Sequence, residues 1–275
     1  YTDGSVHMNH AGTEMGQGLF TKIGQVAAHA LGIDLGQVKI SAADTAKIPN
    51  TSATAASSGT DLNGMAVQDA CNTLKQRLQT LLQNHFETTA DAEFYNGTIT
   101  LDDHQISFKD AITLAYDARV QLSATGFYAT PKIKWDREAG RGHPFYYFSY
   151  GAAVSEVVID TLTGENRILR TDILHDAGQS LNPALDIGQI EGGFVQGAGW
   201  LTTEELVWDD KGNLKTHAPS TYKIPACSDR PPVFNVDLFE NENTEPTIHK
   251  SKAVGEPPFL LGMSVFFALS HKSVQ

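Results

Sequence analysis

The chain has 275 residues, 41% of them apolar and 19% charged, and a formal net charge of −12. That length buries one large core or two of ordinary size, and the composition is that of a globular protein. The acidic balance excludes a face built for nucleic acid or an anionic membrane, each of which needs a basic surface. An anionic ligand is still compatible, because backbone N–H groups hold phosphate without side-chain charge.

Two cysteines, Cys71 and Cys227, are too few for a disulfide framework and point to a reducing, cytoplasmic compartment. Neither lies in a CxxC or Cys/His cluster, so the chain offers no iron–sulfur or zinc site of its own. No apolar run has the length of a membrane span, and the first residues do not read as a signal peptide. Tyr1 stands directly before a strand-like stretch and Gln275 directly after an apolar helix. The sequence therefore reads as an excised piece of a longer polypeptide.

In chain order, residues 5–9 predict a strand, residues 12–18 a glycine-rich loop, and Leu19–Leu31 a helix with apolar residues at Leu19, Ile23, Val26, Ala27, Ala30 and Leu31. Gly32 is its stop, and residues 38–41 form the next strand. Residues 49–59 are small, polar and almost free of charge. A second helix is predicted over 62–82, a polar and turn-rich connection over 84–103, and a third helix over 108–118. Residues 132–144 carry charges, glycines and nearby prolines and read as an exposed loop. It separates a first subdomain, 1–131, from a second, 145–275. In the second, 145–159 and 167–174 predict strands about a turn at 160–165, and 186–201 a buried helix. A hairpin at 204–217, a strand at 233–239 and a final helix from Pro257 complete it. Strands grouped in hairpins with helices packed on them indicate the α+β class.

Four stretches could carry chemistry. Gly255-Glu256-Pro257-Pro258 places one carboxylate at the edge of an apolar run. A residue before proline is pushed toward extended backbone, and proline suits the first helical position, so Glu256 is expected to be extended, near the N-cap, and shielded from solvent. An aimed carboxylate in poor solvent is what a general base requires; the same four residues also make a plain helix start. Gly12, Gly16 and Gly18 surround Gln17 before a helix. The spacing is not that of a dinucleotide fold, yet the glycines admit a ligand to the main chain and Gln17 offers a neutral donor and acceptor. A tight strand-to-helix turn explains the glycines equally well. Residues 51–60 expose N–H groups and hydroxyls suited to an oxyanion, or simply cap the next helix. Gly192-Gly193-Phe194-Val195-Gln196-Gly197 puts three glycines in a predicted helix, each costing about 1 kcal/mol relative to alanine. They ask for close packing or a ligand. His7 and His10, three apart on a strand, point to opposite faces and do not chelate together. Asp172, His175 and Asp176 suggest acid–base chemistry, but read better as solvated charges at a strand end. Ser57 and Ser58 lack a G-x-S-x-G elbow, which argues against a hydrolase.

Taken in order, these motifs resemble the molybdenum-binding large subunit of the xanthine dehydrogenase/xanthine oxidase family. The resemblance covers residues 12–18 with Leu19, Thr21 and Lys22, then 49–57, 125–128, 150–160 and 170–188 including Ser180-Leu181-Asn182-Pro183. It continues through 192–197, 219–225 and 251–258. It implies a molybdopterin cofactor held between two elongated α+β domains. It also implies that Gln17, flanked by Gly16 and Gly18, and Gln196 bind the pterin. The loop Thr54–Ser57, with Ala55 in it, passes the molybdenum, Ala56 being a backbone contact, and Ser57, Ser58, Gly59 and Thr60 lie near the cofactor phosphate. Glu256, after Gly255, is then the base that removes a proton from Mo–OH. The implied reaction hydroxylates xanthine or hypoxanthine to urate with oxygen from water, hydride passing to a terminal sulfido ligand. Electrons then leave through [2Fe-2S] clusters and FAD, in a partner subunit or other domains, to NAD. The whole enzyme is expected to be a cytoplasmic homodimer.

Two departures stand out. His10-Ala11-Gly12 replaces the usual glycine pair and stiffens the turn. The purine-orienting glutamate and arginine and the aromatic clamp would lie upstream of Tyr1 with the rest of the molybdenum subunit, so the piece alone is expected to be inactive. An aldehyde oxidase-type hydroxylase is the nearest alternative, and a non-catalytic cofactor-assembly homologue a more distant one. Thr13-Glu14 and the double proline after Glu256 lean toward xanthine dehydrogenase.

Overall fold

The computed structural model describes residues 1–47 and 51–273, so Pro49 and Asn50 of the small polar tract lie outside the described residues. The chain divides into two compact units, Tyr1–Tyr146 and Tyr147–Gln275.

In the first unit, β1 (Val6–Met8) pairs in parallel with β2 (Val38–Ile40), and α1 (Leu19–Leu31) connects them. The predicted apolar stripe of α1 is the one it buries. Gly32 ends the helix in the left-handed region at φ 64°, and a Cβ there would lie 2.4 Å from the carbonyl carbon of Phe94, so glycine is needed twice over. Against α1 packs α2 (Gly59–Phe86). It buries Val67, Cys71, Leu78 and Leu82, spaced four, seven and four apart along one face. This helix extends beyond the predicted 62–82 at both ends.

The stretch expected to be a polar connection folds into an antiparallel meander of β3 (Glu93–Tyr95), β4 (Thr98–Leu101) and β5 (His104–Ser107). Each strand is only three or four residues long, too short to register as alternation. Left-handed Asn96 and Gly97 turn the first hairpin. Ser107 then caps α3 (Phe108–Asp117), its hydroxyl accepting the Asp110 N–H at 3.0 Å. The exposed 132–144 segment holds a short antiparallel ribbon, β6 (Lys134–Asp136) with β7 (Arg141–His143).

In the second unit, β9 (Asn166–His175) is the central strand. It is antiparallel to β8 (Gly151–Ile159) and parallel to β10 (Val233–Leu238). The core gathers Ile173 and Ala177 with Ile190, Phe194 and Ala198 of α4 (Pro183–Thr202), Val254, and Val265 of α5 (Met263–Ser273). Asn182 caps α4 through its side chain, with Pro183 in the first turn. The hairpin expected at 204–217 reduces to a single bridge between Trp208 and Leu214. The apolar run after Glu256 is two segments instead of one helix: a 3₁₀ segment, Pro257–Gly262, passes into α5. Mixed sheets with helices packed on them make the α+β class expected from the sequence.

Candidate functional site

In the first unit, the Gly12–Gly18 loop and the small polar tract meet. The Thr13 N–H donates to the Thr54 hydroxyl at 2.9 Å, and the Gly12 N–H to the Asn63 Oδ1 of α2 at 3.2 Å. Gly12 has no room for a side chain, since a Cβ would lie 2.4 Å from a methyl of Leu19. His10 is buried, accepts the Gly12 N–H at 3.1 Å and packs edge-on to Phe20. Burial pushes its imidazole below the ordinary value, opposed by the nearby Glu14 carboxylate.

The start of α1 is not open to an anion. Gly18 provides no side-chain cap, and Glu14 does so from within the loop. One Glu14 oxygen accepts the N–H groups of Gly16 at 2.8 Å and Gly18 at 3.1 Å, and the other accepts that of Phe20 at 2.9 Å. Partial burial raises the Glu14 carboxyl, but bonds from the N–H groups of Phe20, Gly16, Gly18 and Gln17 outweigh it and leave the group below its usual value. Gln17 folds back onto the same loop. Its Oε1 accepts the Met15 N–H at 2.6 Å and its Nε2 donates to the Thr13 carbonyl at 2.8 Å. A primary amide has a second lone pair and a second N–H, which leaves one of each to face a ligand.

At the tract, Ala56 and Ser57 are both left-handed, with φ 56° and 55°. Two consecutive residues with side chains in this region are strained, and they turn their backbone groups away from a helical or extended path. Ser58 then precedes α2 without capping it through its side chain. Ala55 and Ala56 are exposed, and Ser57, Ser58, Gly59 and Thr60 half-buried.

In the second unit, α4 and the Glu256 segment lie backbone to backbone. A Cβ at Gly193 would meet Pro258 Cβ at 3.1 Å, and one at Gly197 would meet the Phe259 carbonyl oxygen at 2.2 Å. The glycines of the 192–197 motif thus serve close packing, while Gly192 faces open space. Gln196 is exposed on the helix.

Glu256 departs from expectation twice. It is helical, at φ −92° and ψ −34°, because its carbonyl accepts the Phe259 N–H at 3.0 Å and so closes the first 3₁₀ turn. That bond overrides the pre-proline preference. Its side chain is also exposed instead of shielded. The buried stripe of this run is Pro258, Gly262 and Val265, and Glu256 lies off it. Gly255 is half-buried, with its carbonyl beside Gly193.

Sequence reasoning misplaced the end of β9. Asp172 is a surface group, bonded to Arg170 and Asn235, with its carboxyl held down to about 2 by those partners. His175 and Asp176, however, are 1% and 2% exposed. The signal was in the alternation, because Thr171, Ile173 and His175 share the buried face of the strand. Asp176 is paired with Lys252 at 2.5 Å. Among the described residues no group of three His, Cys, Asp or Glu side chains could hold a metal ion, and no helix is long and apolar enough to cross a membrane.

Known proteins share this sequence and fold. The model of the molybdopterin cofactor-binding domain family matches residues 1–231. The xanthine dehydrogenase/oxidase of Felis catus is 51% identical over 269 residues, covering 98% of this chain and 19% of that protein. Xanthine dehydrogenase of Dictyostelium discoideum is 48% identical over 272 residues, with the same two coverages. Aldehyde oxidase 2 of Macaca fascicularis is 47% identical over 270 residues, also 98% and 19%. The chain therefore spans about a fifth of the length of these relatives. Among solved structures, quinoline 2-oxidoreductase from Pseudomonas putida 86 superposes with a TM-score of 0.83 at 25% identity, over 99% of this chain and 35% of that one. Reconstituted CO dehydrogenase from Oligotropha carboxidovorans gives 0.84 at 22%, over 98% and 33%, a likeness of fold alone.

Proposed function

The chain belongs to the molybdopterin cofactor-binding family, and from that premise we propose that it forms the cofactor- and base-bearing part of a molybdenum hydroxylase that oxidises xanthine or hypoxanthine to urate. The observation that carries the reading is the 51% identity to a xanthine dehydrogenase/oxidase across 98% of the chain. In this reading the whole enzyme is a cytoplasmic homodimer in which electrons leave through [2Fe-2S] clusters and FAD to NAD. Those groups, like the residues that orient the purine, belong to other parts of that enzyme.

The residues present fit the cofactor. The left-handed pair Ala56–Ser57 and the start of α2, uncapped by Ser58, offer backbone N–H groups suited to a phosphate. In this reading a metal would take its ligands from the cofactor, with Ala56 meeting it only through the main chain. Gln17, with Gly16 and Gly18, and Gln196 present amide edges to the pterin. Ala55, Ser57, Ser58, Gly59 and Thr60 line the phosphate end. Both units are in this reading molybdopterin-binding subdomains.

When bound, the molybdenum would supply acidity and a sink for an electron pair. Glu256 takes the proton at a carboxylate oxygen. Glu256 is exposed, and the short turn Glu256–Phe259 with the anchored chain before it holds the main chain that carries the carboxylate.

The 47% identity to an aldehyde oxidase favours a second reading, oxidation of aldehydes by the same machinery. Metal and pterin analysis of the native protein, followed by turnover of xanthine and of an aromatic aldehyde with NAD or dioxygen as acceptor, tests both. The first reading expects stoichiometric molybdenum and xanthine turnover. Aldehyde turnover without xanthine turnover selects the second, and absence of molybdenum rejects both.

A further inference from the structure

Lys252 and Asp176 form a buried pair that nothing in the proposed mechanism uses. Their side chains are 7% and 3% exposed, and the ammonium lies 2.5 Å from a carboxylate oxygen. The pair is fully bonded. Lys252 Nζ also donates to the Phe148 carbonyl at 3.0 Å and lies over the Tyr150 ring at 5.4 Å. Asp176 accepts the Gly178 N–H at 2.9 Å. The main chain around Lys252 is held as well. Its N–H donates to the Ala177 carbonyl at 2.8 Å, the Ala253 N–H to the Tyr147 hydroxyl at 2.8 Å, and the Ala253 carbonyl accepts from the Ser149 hydroxyl at 3.1 Å.

A buried ion pair is a weak source of stability, because desolvation offsets its attraction, but losing one partner is costly because it leaves an uncompensated buried charge. This one sits four residues before Glu256. The chain between, Ala253-Val254-Gly255, has Val254 in the core and Gly255 against Gly193 of α4. We propose that Lys252 and Asp176 are positioning residues: the pair clamps the segment that leads into Glu256 and so sets the main chain from which its carboxylate projects. The role rests on reading Glu256 as the base.

The test uses the native enzyme with its cofactor. Lys252→Met leaves the Asp176 charge buried without its cation and stands to unfold the second unit. The double variant Lys252→Met/Asp176→Leu removes both charges and keeps apolar volume, so it folds. It is expected to retain molybdenum and pterin, to keep KM within about twofold, and to lose kcat by about 10²-fold through a misplaced base. Amide exchange at Ala253, Val254 and Gly255 is expected to quicken by about tenfold or more. Lys252→Arg, which keeps the charge pair, is expected to recover most of kcat. Unchanged exchange in the double variant overturns the clamp, and quickened exchange with unchanged kcat overturns its role in placing the base. Glu256→Gln, made alongside, reports on the base itself. If that variant stays active the base reading fails, while the exchange measurement still decides the clamp.

Discussion

Gly197 and Phe259 approach until main chain lies on main chain: a Cβ at Gly197 would stand 2.2 Å from the Phe259 carbonyl oxygen. From the other side, a Cβ at Gly262 would stand 2.4 Å from the Ala198 nitrogen. The segment that begins at Glu256 is thus seated on α4 by absent side chains. Gly197→Ala is expected to destabilise the second unit by about 3 kcal/mol, the upper part of the usual overpacking range, because backbone cannot swing aside. Gly192, five residues earlier in α4, meets nothing within 4 Å. Gly192→Ala is expected to stabilise by about 0.5–1 kcal/mol through helix propensity. Urea unfolding of the two variants side by side checks the contrast.

Glu14 caps α1 from within the glycine loop, and Glu14→Ala leaves the N–H groups of Gly16, Gly18 and Phe20 without that acceptor. A loss of about 1 kcal/mol is expected, as for other N-caps, with faster amide exchange at those three residues. The carboxyl lies below its ordinary 4.5 in the folded chain. Its contribution is therefore complete above about pH 4.5 and is lost as pH falls through the depressed value. Protection of the Gly16 and Gly18 amides, taken relative to the unfolded chain at the same pH, should accordingly hold at neutral pH and diminish in acid. In Glu14→Ala that protection should be low at both.

Burial also predicts a pH effect at His175, which is 1% exposed. Desolvation lowers its pKa from 6.5, and the charges of Asp176 and Asp186 restore only part of the difference. Below pH 6.5 the unfolded chain takes up a proton that the folded chain refuses. Stability is therefore full above 6.5 and falls as pH drops through the folded value. The urea midpoint is expected to fall between pH 7.5 and pH 5.5, and less so in His175→Leu, which cannot titrate.

The two thiols are expected to differ sharply. Cys71 is buried in α2, and burial pushes its thiol to about 11, with Lys75 opposing. Cys227 is exposed. An aromatic disulfide reagent should titrate Cys227 alone in the folded protein at pH 8 and both after unfolding. Equal reactivity of the two in the folded state would contradict the burial of Cys71.

Much of this architecture was legible because periodicity and punctuation agreed. Leu19–Leu31 was marked by its apolar stripe and by Gly32, and the structure has the same limits. The β8–β9 hairpin was marked by the turn residues 160–165 between two predicted strands, although β8 begins at Gly151 and not at residue 145. The strands β3 to β5 were not legible, since three or four residues each carry too little pattern. At the candidate site, the glycines of 192–197 announced a close approach, but only coordinates identify its partner as the Pro258–Phe259 backbone. Proline chemistry placed the helix start at Pro257 correctly and the conformation of Glu256 wrongly, because one carbonyl bond to Phe259 outweighed a local preference. The Lys252–Asp176 pair was hidden for a different reason. Its partners are 76 residues apart, and only the tertiary fold makes a buried lysine tolerable.

Substitution of Glu256 by glutamine in the native enzyme tests the central claim most directly, because it removes the proton acceptor while keeping size and shape. The account predicts a loss of kcat of at least about 10²-fold, the lower end of what a positioned base contributes, with molybdenum and pterin content and KM near those of the native protein. A variant that turns over xanthine and aldehydes at the native rate with a full complement of cofactor would contradict it.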